Sequence, residues 1–242
     1  MQYKEKIRKQ MGKAIKDYHL IEDGDKILVG LSGGKDSLAL LELLAAQSKI
    51  FKPRFTVEAA YVRMRNIPYQ SDEEYLSAFA ARQGITLHIV ETAFDVDEDR
   101  QKTPCFLCSW YRRKKLFETA KTLACNKIAL GHHKDDLMQT ALMNLTFNGR
   151  LDAMPPLLKM DKFDMTIIRP LCLVRENDLR KMAEEQQYQQ QIKQCPYEHD
   201  TRRKDIQEIV SRLEEINPEF EYSLLHALKN DNVYVNDNSH PL

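Results

Sequence analysis

The chain has 242 residues and carries 36 Lys and Arg against 36 Asp and Glu, for a formal net charge of zero. That length suits one α/β domain with an extension or two small domains, and no apolar run approaches membrane-spanning length. Overall charge therefore excludes a partner recruited by whole-molecule polarity, and five cysteines, an odd number, argue against a disulfide framework.

The N-terminus shows no signal-peptide apolar region, so the chain reads as cytoplasmic. Residues 1–20 form an amphipathic helix in this reading, with Lys4, Lys6, Arg8, Lys9, Lys13 and Lys16 against Glu5 over its first 16 positions. The turn Glu22-Asp23-Gly24-Asp25 follows, and then a strand over Lys26–Leu31. Ser32-Gly33-Gly34-Lys35-Asp36-Ser37 separates this strand from a helix over Leu38–Ala46. Two glycines let backbone approach an anion, and the helix start directs unpaired N–H groups and a positive dipole end at it. Lys35 adds a point charge, and Ser32 and Ser37 add hydroxyl donors. The Walker A pattern is excluded, because Val29 and Asp36 stand where it needs Gly and Ser or Thr. A carboxylate beside a phosphate-binding lysine suits a divalent cation between Asp36 and the phosphates.

Further strands are expected over Val57–Val62, Thr86–Glu91, Lys127–Leu130 and Thr166–Arg169, alternating with helices over Ser71–Gln83, Cys108–Ala124 and Asp135–Leu145. This βαβα order implies a mostly parallel sheet covered on both faces, with ligands off the carboxyl ends of its strands. Beyond Arg169, helices are expected over Arg175–Gln186, Asp200–Leu213 and Pro218–Leu228, and Asp231–Leu242 reads as a polar tail. The organisation that follows is an N-terminal helix (1–21), a nucleotide-binding catalytic domain (22–190), a C-terminal helical segment (191–230) and a flexible tail (231–242).

Pro104-Cys105-Phe-Leu-Cys108 heads the fourth helix, and Arg112-Arg113-Lys114-Lys115 makes it basic. Cys-x-x-Cys alone fits a redox pair, half a zinc site or part of an iron–sulfur site, and Cys195-x-x-x-His199 could complete a Cys₃His zinc site. Cys125 and Cys172 lie in apolar stretches and read as core residues. Gly131-His132-His133-Lys134-Asp135-Asp136 follows a strand and opens a helix; Asp135 reads as a structural partner of the helix dipole, and His132 could contact a phosphate.

The Ser-Gly-Gly-Lys-Asp-Ser run resembles the loop of the PP-loop ATP pyrophosphatases, which share a Rossmann-like α/β fold. Pro104–Cys108, Gly131–Asp136, Met154-Pro155-Pro156 and Ile168-Arg169-Pro170-Leu171, in this order, resemble the tRNA 2-thiocytidine synthetase family within it. The resemblance implies ATP bound by Ser32, Gly33, Gly34, Lys35, Asp36, Ser37, Val62 and Gly131, with Lys35, Arg112 and Asp136 catalytic. It implies a 4Fe–4S cluster on Cys105, Cys108 and Cys195, Mg²⁺ on Asp36, and a homodimer that thiolates an anticodon-loop cytidine of tRNA. A cysteine desulfurase or another donor would supply the sulfur. Where many members have a second Cys-x-x-Cys, this chain has Cys195-Pro-Tyr-Glu-His199, which still leaves three thiolates. Three thiolates leave one iron open, as a catalytic zinc keeps one position open.

Overall fold

Leucine- and valine-rich runs of three to nine residues alternate with helices, and the chain folds accordingly. The computed structural model describes residues 2–50, 52–67, 71–95, 103–160, 165–191 and 201–230. The six strands are β1 (Lys26–Gly30), β2 (Thr56–Met64), β3 (Leu87–Thr92), β4 (Lys127–Ala129), β5 (Leu157–Met160) and β6 (Met165–Ile168). They form one sheet in the order β3-β2-β1-β4-β6-β5, parallel except for the edge strand β5. The helices are α1 (Gln2–Asp17), α2 (Lys35–Gln47), α3 (Glu73–Gln83), α4 (Pro104–Thr122), α5 (Lys134–Met143), α6 (Glu176–Glu185), α7 (Thr201–Ile216) and α8 (Phe220–Asn230).

Alternation along β1 assigns the layers. Ile27 and Val29 point into a core shared with α1, α2, α3 and α6, while Leu28 points into a second core capped by Leu116, Phe117 and Ala120 of α4. α2 is buried on nearly every side, with Leu38, Leu40, Leu41, Leu43 and Leu44 fully enclosed. Each such leucine contributes about 1.5–3 kcal/mol through removal from water. α1 sends Ile7, Met11 and Ala14 into the same core. α7 and α8 pack on α5 through Ile206, Val210, Leu224 and Leu228 against Met138 and Ala141.

The expected strands and helices are present, with shifted ends where caps decide. α2 begins at Lys35, because Gly34 takes the extended N-cap conformation and turns Lys-Asp-Ser into the first helical turn. α4 begins at Pro104, capped by Thr103 Oγ1, which accepts the Phe106 N–H at 3.3 Å, so both Cys105 and Cys108 are helical. α5 ends at Met143 in a π-helical turn, Asn144–Asn148. β5 is an addition to the sequence reading. Residues 192–200, and with them Cys195 and His199, lie outside the described residues, as does the tail from 231.

The amino ends of the strands carry a buried ion pair. Lys127 Nζ lies 2.8 Å from Asp25 and donates to the Leu20 carbonyl at 3.0 Å. Asp25 also accepts from Asn126 Nδ2 at 2.7 Å and from the Glu22 N–H at 2.6 Å. At the opposite edge the strand order reverses between β1 and β4, which makes their carboxyl ends the switch point where ligands of such sheets sit.

Candidate functional site

The loop after β1 and the Gly-His-His segment after β4 meet at that switch point. Gly33 has φ +83°, and a Cβ there would stand 2.7 Å from Ser71 Oγ, so the position requires glycine twice over. Ser71 fixes the loop by donating to the Ser32 carbonyl at 3.1 Å, and its own N–H donates to Tyr61 Oη at 3.0 Å. Ser37 Oγ accepts the Ser32 N–H at 3.1 Å and donates to the Gly34 carbonyl at 2.9 Å. Gly131 runs so close beneath α2 that a Cβ would sit 3.1 Å from the Ser37 nitrogen. The N-cap of α2 makes no side-chain hydrogen bond, whereas those of α3 and α4 do. The first turn of α2 thus keeps its anion-binding character.

Two cavities flank this turn. One, of about 290 Å³, is lined by Ser32, Asp36, Ser37, Val62, Gly131 and Asp136, with His132 beside them and Arg112 reaching in from α4. The other, of about 550 Å³, is lined by Lys35, Asp36, His133, Asp136 and Glu176, with Arg203 and Lys204 of α7 opposite. Asp36 and Asp136 belong to both and form the partition. Gly33 and Gly34 shape the loop without lining either cavity.

The partition is electrostatically unusual. Burial pushes the Asp36 carboxyl above the usual carboxylate range, against the pull of Lys35 and His133, and its Oδ1 is buried with no hydrogen-bond partner. A desolvated carboxylate with a spare oxygen fits a divalent cation. Burial disfavours the Lys35 charge, yet Asp36 at 3.2 Å and Glu176 at 3.1 Å outweigh it and hold its pKa above the ordinary lysine value. Asp136 Oδ2 accepts the His133 N–H at 3.0 Å, and Oδ1 lies 3.8 Å from Arg203. Asp135 turns away: it accepts the Glu176 N–H at 2.7 Å and lies 3.2 Å from Arg175.

Arg112 Nε and His132 Nδ1, of two residues that line the first cavity, are buried without a hydrogen-bond partner, and so is Arg169 Nε. Each such orphan costs about 1–3 kcal/mol. Burial, and next the Arg169 charge, push His132 down to about 4, so its imidazole is neutral.

Cys105 is exposed and Cys108 half-buried at the start of α4, three residues apart and so on one face; Cys108 packs with Met64, Ile67, Phe94 and Leu107. Both sit at the N-terminus of α4. Their chemistry suits two ligands of a thiolate-held iron–sulfur cluster. Among the described residues, no group of three or more His, Cys, Asp or Glu is arranged to hold a metal ion. Sequence reading missed Glu176 and Arg203, which come from helices far along the chain. Arg169 was visible only as part of the Ile-Arg-Pro-Leu run.

A largely parallel sheet with a Ser-Gly-Gly-Lys-Asp-Ser turn at its switch point defines a PP-loop protein. A profile of the PP-loop domain matches residues 3–213. Curated relatives are tRNA-cytidine(32) 2-sulfurtransferases. That of Neisseria meningitidis serogroup A is 43% identical over 76% of this chain and 58% of its own length, and that of Idiomarina loihiensis 36% identical over 93% and 76%. Among solved structures, the U34-tRNA thiolase NcsA from Methanococcus maripaludis, with its [4Fe-4S] cluster, superposes with a TM-score of 0.77. It is 25% identical, covering 99% of this chain and 82% of that one. The NH3-dependent NAD synthetase of Campylobacter jejuni shares the fold, with a TM-score of 0.52 at 16% identity over 95% and 91% of the two chains. The chain belongs to the PP-loop family and, within it, to the tRNA-cytidine(32) 2-sulfurtransferases. It spans about three-fifths of the length of the Neisseria and Aliivibrio fischeri relatives, 58% and 60%.

Proposed function

We propose that the chain is an ATP-dependent tRNA sulfurtransferase that converts a cytidine of the anticodon loop to 2-thiocytidine. The observation that carries this reading is the reach of α4: the helix that starts with Cys105 and Cys108 puts Arg112 into the same cavity as Ser32, Ser37 and Asp136. Nucleotide chemistry and thiol chemistry are thereby joined by one turn of helix.

ATP binds across the partition, with Val62 and Gly131 against the nucleoside and the first turn of α2 and Lys35 on the pyrophosphate. Asp36 takes Mg²⁺. The cytidine O2 attacks the α-phosphorus, the bond to the bridging oxygen breaks, and pyrophosphate leaves into the field of Lys35 and the helix start. Arg112 faces the charge developing on the α-phosphate. Sulfide then bonds to C2, the C2–O2 bond breaks, and AMP departs with the oxygen. A 4Fe–4S cluster held by Cys105, Cys108 and Cys195 would supply that sulfur from its open iron. The base must be unstacked to enter, which an anticodon loop allows. Two further elements complete the proposal: a cysteine desulfurase or another donor that recharges the sulfur, and a homodimer working in the cytoplasm, where tRNA is used. No helix among the described residues is long and apolar enough to cross a membrane.

The test is nucleoside analysis of tRNA from cells lacking the protein, with metal and sulfide analysis of protein purified without oxygen. Loss of 2-thiocytidine, restored by the wild-type chain and not by Cys108→Ser, is expected. Unchanged thiolation, or zinc without acid-labile sulfide, overturns the reading.

A further inference from the structure

The chain leaves β4 and enters β5 at the same, carboxyl edge of the sheet, since β5 runs antiparallel and Leu157 pairs with Ile168 at the end of β6. The π-helical turn Asn144–Asn148 lies on this excursion, between α5 and β5. It is firmly built. Asn144 Nδ2 donates to the Asp152 carbonyl at 3.1 Å and to its carboxylate, and Asn148 Nδ2 donates to Asn144 Oδ1 at 3.1 Å. Gly149 closes the turn at φ +64°, and its N–H and that of Arg150 both donate to the Asn144 carbonyl. Yet this fixed turn presents its two large apolar side chains to solvent: Leu145 is 49% exposed and Phe147 52%. Single π-helical turns concentrate at functional sites, and apolar side chains grouped in water mark contact surfaces.

Charge decides which partner the surface fits. Residues 145–150 include no acid, and the next carboxylate along the chain, Asp152, is taken by Asn144. Arg150 is exposed beside the turn, and Arg202, at the start of α7, lies over the Phe147 ring at 5.3 Å. The adjacent Arg203 stands 3.8 Å from Asp136 and lines the larger cavity with Lys204, so the patch borders the candidate site. The far end of α7 differs. Ile216 is exposed there too, but it follows Glu214 and Glu215, which repel a polyanion. Aromatic faces and guanidinium planes set among basic side chains are the means by which proteins hold the unpaired bases of RNA loops. We propose that Leu145, Phe147 and Arg202 form a stacking platform for an unpaired nucleotide of a single-stranded RNA loop, with Arg150 on its phosphate. This rests on the tRNA reading above and adds a place, outside both cavities, where the RNA is held.

Fluorescence anisotropy of a labelled anticodon stem-loop RNA titrated with the full chain tests this, beside a blunt RNA duplex of equal length. Phe147→Ala is expected to weaken the stem-loop at least about fivefold, the loss of one stacked base, and to leave duplex and ATP affinity within about twofold. Phe147→Tyr keeps the ring and is expected to bind as the wild type does. Arg150→Gln is expected to lower the salt slope by about 0.7, one single-strand phosphate. Unchanged stem-loop affinity in Phe147→Ala, an equal loss on the duplex, or altered sedimentation that marks the patch as a contact between two copies overturns the proposal. The sulfurtransferase reading fails separately: tRNA that keeps its 2-thiocytidine in cells lacking the protein would remove that reading and leave loop binding by Phe147 standing.

Discussion

Asp36 is held where water is scarce and a cation is wanted. Its raised pKa means that burial makes the ionised form less favourable in the folded chain than in the unfolded one. The stability this residue contributes is therefore full below the ordinary carboxylate pKa and lost as pH rises through the raised value. At neutral pH the ionised side chain is a liability that the proposed Mg²⁺ would relieve. Asp36→Asn is expected to raise the Tm of the ligand-free protein at neutral pH, by about 2–4 °C for each kcal/mol relieved. Under acid conditions the gain should vanish, and magnesium-dependent ATP binding should fall at least tenfold at any pH. Calorimetric scans at neutral and acidic pH check it; equal shifts at both would count against a desolvated carboxylate. Asp36 was legible from sequence because it sits inside a contiguous motif. His132 and Arg169 were not legible as a pair, since 37 positions separate them and only the adjacency of β4 and β6 unites them.

Among the elements, β4 is the shortest strand and begins with Lys127, a residue that reads as an exposed strand end. It is buried against Asp25 instead. Lys127→Met leaves that carboxylate enclosed without its cation and should cost about 3–5 kcal/mol in urea unfolding, with ATP affinity unchanged, since the pair lies at the other end of the sheet. The double variant with Asp25→Leu should lose less than the single one. The same contrast between local signal and tertiary context explains what the sequence showed of the elements. α4 announces its start through Thr103-Pro104, and the β-rich runs before Gly30 and Gly131 are strands as read. β5 escaped because Leu157–Met160 is short, half-exposed and preceded by Pro155-Pro156, so only its pairing with β6 makes it a strand. The first turn of α2 looked like loop because its cap is a glycine, a residue more often read as a breaker.

At the level of the molecule, zero net charge conceals an uneven surface. Four of the six basic side chains of α1 meet carboxylates: Lys4 pairs with Glu42, Lys6 with Asp178, Arg8 with Glu5 and Lys13 with Asp17. On α4, Lys114 lies over the Trp110 ring at 5.4 Å, next to the thiols. If α4 meets RNA in the proposed reaction, reversing Lys114 and Lys115 to Glu should weaken tRNA binding and flatten its salt dependence by about 0.7–0.9 for each phosphate that is no longer neutralised, whereas Lys6→Ala should act on stability. Affinity measured across a salt series decides; equal effects from both helices would contradict the assignment. Asp36 and Asp136, which line both cavities, have a consequence for the order of events in the proposed reaction. The larger cavity carries Lys35, Arg203 and Lys204, so pyrophosphate would depart on that side while the adenylated base stays on the Arg112 side. The proposed activation step would then reverse only as fast as free pyrophosphate returns.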